Sequence, residues 1–309
     1  MIKTQNKETF TMNRTIENNN LKVTISDSGA ELVSVWDKKR NVERIWRGDA
    51  AVWGRHAPVL FPFVGKVADG KYSYKGREYK MTSHGFARDR EFEFVGIGED
   101  GMSVTHVLRW SEKSLAVYPF KFALYVKHSI ADRNSASINV EWKVINEDDQ
   151  TMLYGIGGHP AFTFPEGVKV TDCSLKINKN IDGTLNTLKY HLLDAAGCID
   201  MSEQHEIAMD NGCIPIKENM FDKDALIVLD NQINRIALFD KKGSEYVSVD
   251  CADFPYFGIW SKKVDEFICL EPWYGIADVA GYDGNLEKKA GMQSLEAGSS
   301  REYKYTINF

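Results

Sequence analysis

Cysteine is scarce in this 309-residue chain. The five, Cys173, Cys198, Cys213, Cys251 and Cys269, are odd in number, scattered and never spaced as CxxC. That set builds no disulfide framework and no local zinc motif, and it reads as the reduced thiols of a cytoplasmic protein. Long apolar runs are missing as well. Without a stretch of about 18 apolar residues the sequence offers no spanning helix and no membrane partner. Nor is there an excess of positive charge. The 38 basic residues are outnumbered by 44 acidic ones, giving a net charge of −6, which argues against nucleic acid as a partner. The opening residues MIKTQNKETFTMNRTIENNN lack the apolar core of a secretory signal. No phosphate-binding GxxxxGK or GxGxxG follows a strand-like run. No GxSxG elbow occurs, and HExxH is absent. Strand and helix patterns do not alternate, which excludes a doubly wound parallel sheet, and no fixed-period repeat is found.

What the chain has is alternation at period two. Leu21, Val23 and Ile25 alternate with polar residues, as do Phe120, Phe122, Leu124 and Val126, then Ile138, Val140, Trp142 and Val144, and finally Tyr303, Tyr305, Ile307 and Phe309. Half-buried antiparallel strands have this pattern. Turn clusters such as Glu99-Asp100-Gly101, Asn146 to Asp149 and Lys241-Lys242-Gly243 separate the runs. Helix is expected only as a turn or two at Met201 to Met209 and Glu218 to Ala225. The fold class is therefore all-β, one large antiparallel β-sandwich. Residues 1–18 are polar and do not alternate, so they are expected to be flexible, with Met12 a second candidate start. Residues 19–309 are expected to form a single domain, as a monomer or a homodimer.

Four segments break the alternation with polar groups among Gly, Pro and aromatic residues: WGRHAPVLFPFVGK from Trp53, HGFARDREF from His84, YGIGGHPAF from Tyr154, and FPYFGIWS from Phe254 followed by CLEPWYG from Cys269. Loops on a rigid β-scaffold are where binding groups concentrate. Glu271 ends an apolar run and precedes Pro272-Trp273, a setting that raises a carboxyl pKa and suits a general base. His159 sits between a glycine pair and a proline, on what reads as a presenting bend. Trp53, Phe61, Phe86, Trp260 and Trp273 are either core or platforms for a pyranose ring. His84, His159 and Glu271 have no spacing that favours a metal, so neither metal nor cofactor is expected.

APVLFPFVGK, HGFARDREFEF, GGHPAF and CLEPWYGIAD occur in this order and resemble the aldose 1-epimerase, or galactose mutarotase-like, superfamily, especially its bacterial branch associated with lactose operons. The resemblance runs from about residue 20 to the C-terminus. One departure is the stretch WGRHAPVLFP, where galactose mutarotases carry an NR pair. The resemblance implies a galactose mutarotase-like β-sandwich that interconverts the α and β anomers of a small-molecule sugar. It implies Glu271 as general base, His159 as general acid, His84 as a sugar-hydroxyl contact and Asp224 in FDKDALIV as a substrate-binding carboxylate. Arg55 and Arg88 stand where related hexose-phosphate epimerases contact substrate, and Trp260 is expected at the pocket wall. The alternatives are a hexose-6-phosphate 1-epimerase and a non-catalytic sugar-binding or regulatory protein. The mechanism further leads one to expect Glu271 ionised and His159 protonated in the free protein, facing each other across a gap as wide as a sugar ring.

Overall fold

A computed structural model describes residues 12–178 and 186–309. Two antiparallel sheets dominate it. The larger has nine strands, in the spatial order Cys213–Pro215, Ser174–Asn178, Arg235–Phe239, Glu245–Asp250, Ser300–Asn308, Ser137–Asn146, Phe122–Ile130, Ser103–Arg109 and Glu93–Ile97. The smaller runs Leu226–Val228, Tyr256–Trp260, Phe267–Tyr274, Ile156–Gly158 and Val59–Leu60, with Ala161–Thr163 also pairing to Phe267–Tyr274. This is the antiparallel β-sandwich read from the sequence.

Period-two alternation explains how the sheets bond face to face. In Ser137–Asn146 every second residue is buried, and these include Ile138, Val140, Trp142 and Val144. Phe122 and Tyr305 of the large sheet point the same way. The Phe61 ring, next to Val59–Leu60, lies 5.0 Å from that of Phe122. Removing such side chains from water is the main stabilising term, at ~25 cal/mol per Å² of apolar surface.

Both expected helices are absent. His205–Ala208 is a strand paired with Thr187–Tyr190, and residues 218–224 form successive hydrogen-bonded turns. Strand pairing overrides weak helical propensity in the first place, and in the second the turns do not continue into a helix. Among the described residues the only α-helix is the single turn Glu112–Leu115, and no helix is long and apolar enough to cross a membrane.

The expectation of a flexible segment to residue 18 needs correction. Residues 1–11 lie outside the described residues, but Asn13–Glu17 is a strand paired in register with Leu21–Ser26. Ile16 is buried in the core. The Arg14 guanidinium grips Asp27 with two hydrogen bonds, 2.9 and 2.7 Å, and buried His106 reaches the same carboxylate at 3.0 Å. One apolar residue among polar neighbours carries too little periodicity to be read as a strand. Arg14→Met is expected to lower stability, because Asp27 would lose two charge-assisted hydrogen bonds. Denaturant unfolding checks this, and an unchanged midpoint would make the strand dispensable.

One buried ion pair shapes the rim of the site. Lys289 and Asp278 meet at 2.5 Å with both side chains almost fully enclosed. Asp278 also accepts from the Ala68 amide at 2.8 Å, and its own amide donates to the Lys66 carbonyl at 2.9 Å.

Candidate active site

Glu271 lies on Phe267–Tyr274, opposite Gly258 on one neighbouring strand. On the other side the pairing is interrupted. Ile156 and Gly157 oppose Tyr274 and Trp273, and pairing resumes at Ala161 opposite Cys269. His159 and Pro160 occupy the gap, with the His159 amide donating to the Pro58 carbonyl at 3.2 Å and Pro160 accepting from Leu270 at 3.2 Å. The presumed glycine-built bend is thus largely strand. Its glycines are there because neighbours need the space. A Cβ on Gly157 would fall 2.6 Å from Trp273, and one on Gly158 would fall 2.7 Å from the Tyr305 hydroxyl.

This break brings the two chemical groups into contact. His159 Nε2 is 3.2 Å from Glu271 Oε2, so there is no ring-wide gap between them. The approach is not aligned as a hydrogen bond, and among the described residues neither Glu271 Oε2 nor His159 Nδ1 has a hydrogen-bonding partner. Trp53 stacks on the imidazole with centroids 4.9 Å apart. Trp260 and His84 approach it edge-on at 5.6 and 5.5 Å.

His84 adopts φ +66°, a conformation rare for a residue with a side chain. Gly85 follows at φ +72°, and a Cβ there would collide with the Phe61 carbonyl. The Gly65 amide donates to His84 Nδ1 at 3.2 Å. That bond fixes the tautomer and leaves Nε2–H as a donor. Asp224 also has a left-handed backbone, φ +73°, and accepts from the Ala225 amide at 2.8 Å.

Glu271, His159, His84, Asp224, Arg88 and Trp260 line one cavity of about 520 Å³, with Trp53, Trp273 and Lys66 on its wall. Arg55 is not among the lining residues. It is held outside, donating to the Arg88 carbonyl at 3.2 Å and to Asp89 at 2.5 Å. Phe61 and Phe86 are buried core. Sequence reasoning missed Lys262, Leu193 and Gly197, which also line the cavity. Lys262 stands two residues past Trp260, while no local signal marks the other two.

Enclosure sets the protonation states. Burial pushes the Glu271 carboxyl well above the ordinary carboxylate range, and nearby Asp224 adds to the rise. The Trp273 indole and Arg88 oppose it, although that indole N–H makes no aligned hydrogen bond. Burial and then Arg88 push His159 down to about 3. His84 is also held well below its ordinary value, by burial and then by His159 and Arg88. The free site therefore favours neutral Glu271 and neutral His159, the reverse of the expected charges, because an enclosed pair loses less solvation uncharged.

Cys269 Sγ joins His159 and Glu271, with the three donor atoms within 4.8 Å of one another. Burial holds this thiol well above its ordinary value, so it faces the pair as S–H. The donors thus differ from the His84, His159 and Glu271 set considered in the sequence.

A family model described as aldose 1-epimerase matches residues 12–305. The chain is 30% identical to the plasmid-borne protein LacX of Lactococcus lactis over 284 residues, covering 89% of this chain and 91% of that protein. A galactose mutarotase related enzyme from Lactobacillus acidophilus superposes with a TM-score of 0.87 at 35% identity, over 96% of this chain and 97% of that one. A galactose mutarotase-like protein from Lactobacillus casei gives 0.85 at 28% identity, over 96% and 99%.

Proposed function

We propose a function from one premise: the chain belongs to the aldose 1-epimerase family, and it acts as a mutarotase that interconverts the α and β anomers of an aldose. The observation that carries this reading is the 3.2 Å contact between Glu271 and His159 at the wall of a sugar-sized cavity. Ring opening moves two protons. One leaves the anomeric hydroxyl, O1, and one arrives at the ring oxygen, O5. Both oxygens are bonded to C1, so an acid and a base in contact can address them together from one edge of the ring. The missing ring-wide gap is therefore compatible with the chemistry.

The pair needs to hold one proton. With Glu271 ionised and His159 protonated, Glu271 takes the O1 proton while His159 protonates O5 and the C1–O5 bond breaks. With the proton on Glu271, the roles in that step exchange. Opening converts one tautomer into the other, rotation about C1–C2 turns the aldehyde, and closure returns both protons. Each group contributes about 10²–10⁴-fold. His84 Nε2–H and Asp224 are placed to hold sugar hydroxyls, and Trp53, Trp260 and Trp273 to cover the apolar ring face. Sugar NMR or polarimetry of freshly dissolved anomers, across free and phosphorylated aldoses, tests the proposal. Failure to accelerate any of them would leave a sugar-binding role. Preference for phosphorylated aldoses would favour the hexose-6-phosphate reading.

The pH dependence follows from the direction of the shifts. Below the depressed His159 value the pair gains a second proton and has no base. Above the raised Glu271 value it loses its only proton and has no acid. The profile of kcat/KM is expected to have its acid limb far below an ordinary histidine's titration and its alkaline limb well above an ordinary carboxyl's. These limbs belong to the pair, not to either residue alone. An acid limb near 6.5, the value of an ordinary histidine, would refute the neutral pair.

A further inference from the structure

Residues two apart on a strand point to the same side of the sheet. On Phe267–Tyr274 this puts Cys269 beside Glu271. The break in the neighbouring strand, just before Ala161 pairs with Cys269, brings His159 to both. A thiol, an imidazole and a carboxyl thus offer one ligand atom each, all within 4.8 Å of one another and all on buried residues. The proton transfers use only two of the three. Cys269 has no part in them.

We propose that His159, Cys269 and Glu271 form a site for zinc or a zinc-like divalent cation, and that the bound ion switches off the acid–base pair. The inhibition rests on the mutarotase reading. The metal site does not.

Three observations select this ligand. The first is spacing. Zinc holds nitrogen and oxygen ligands at ~2.0–2.2 Å in tetrahedral geometry, which sets two such ligands ~3.3–3.5 Å apart. His159 Nε2 and Glu271 Oε2 already stand 3.2 Å apart, and bringing the third ligand in needs a shift on the order of 1 Å. The second is an unmet demand. Glu271 Oε2 has no hydrogen-bonding partner among the described residues, on a side chain only 1% exposed. An enclosed oxygen left without a partner is costly, and a metal ion would supply one. The third is charge. A thiolate, a carboxylate and a neutral imidazole carry two negative charges, which one divalent ion cancels. Zinc displaces one proton from the Cys269 S–H and one from the Glu271 carboxyl, and the enclosed site stays neutral. Thiolate and imidazole favour zinc over magnesium and calcium, which take oxygen ligands. Three protein ligands leave a fourth position for water from the cavity. Once zinc holds the lone pairs of Glu271 and His159, neither group takes or gives a proton at O1 or O5.

The test measures mutarotation of the best sugar in metal-free buffer, with and without micromolar zinc. It uses the unaltered chain, Cys269→Ser and Cys269→Ala, each compared with its own metal-free rate. Zinc is expected to slow the unaltered chain at least about tenfold and EDTA to restore the rate. The half-inhibiting concentration should rise at least about tenfold in both variants, because losing even a residue that only supports a ligand costs ~10–100-fold in metal affinity. Cobalt(II) is the spectroscopic probe. It should give a near-ultraviolet sulfur-to-cobalt charge-transfer band with the unaltered chain and with neither variant, although Cys173, Cys198, Cys213 and Cys251 remain. Zinc that has no effect, that accelerates turnover, or that inhibits all three chains alike would overturn the proposal. If no sugar is turned over, the mutarotase reading fails separately and the cobalt spectrum decides the site. A band that both variants lose upholds it, and a band that is absent throughout or kept by the variants overturns it.

Discussion

Glu271→Gln should slow anomer interconversion by at least about 10²-fold, some 3 kcal/mol of transition-state stabilisation or more, on the best sugar found by polarimetry. Glutamine keeps the shape of the side chain and its place on Phe267–Tyr274, but its amide neither takes nor gives the proton. Sugar binding should remain measurable by calorimetry, because Trp53, Trp260, His84 and Asp224 stay in place around the cavity. The melting temperature should not fall, since burial already favours a neutral carboxyl at this position. That control separates a chemical loss from a folding loss. His159→Asn is expected to cause a loss of the same order. The double variant should be about as slow as the slower single one, because groups that act as one unit lose their effect once rather than twice. Near-normal turnover by Glu271→Gln would remove the pair from the mechanism.

Asp278→Asn should cost about 3–5 kcal/mol of stability, the usual penalty for leaving one partner of a buried ion pair uncompensated. Lys289 would then keep the Ile276 carbonyl, 3.0 Å from its ammonium, and at best a neutral amide oxygen, with no opposite charge beside it. Replacing both partners with apolar residues, Asp278→Leu with Lys289→Met, should recover most of the loss, because no lone charge stays enclosed. The loss should also reach the site. The Asp278 side chain accepts from the Ala68 amide, two residues past Lys66, and Gly65, Lys66 and Ala277 line the cavity. Denaturant unfolding of the three chains measures this. A single variant as stable as the parent would show that the pair carries no net weight.

Much of the scaffold was legible because a half-buried strand writes its period into its own sequence. Ile138, Val140, Trp142 and Val144 need no distant information to declare one buried face. The strand Asn13–Glu17 was missed because only Ile16 marks it, and its worth lies in Asp27 and His106, contacts made elsewhere in the chain. His205–Ala208 was read as helical because its strand character comes from pairing with Thr187–Tyr190. The glycines before His159 were read as a bend. Their cause is Trp273 and Tyr305 pressing on them from other strands, and residue type alone does not distinguish a glycine that turns from one that makes room.

The site divides along the same line. Sequence alone determined an all-β architecture and singled out Glu271, His159, His84 and Trp260, because unusual residue types in aromatic and glycine-rich company stand out locally, while Asp224 and Arg88 entered through the family resemblance. Tertiary structure alone decided that Glu271 touches His159, that Arg55 turns away to Asp89, and that Cys269 joins the pair. It also decided that burial leaves both central groups uncharged. Proximity and solvation depend on which segments the sheets bring side by side, and that pairing is a property of the folded chain as a whole.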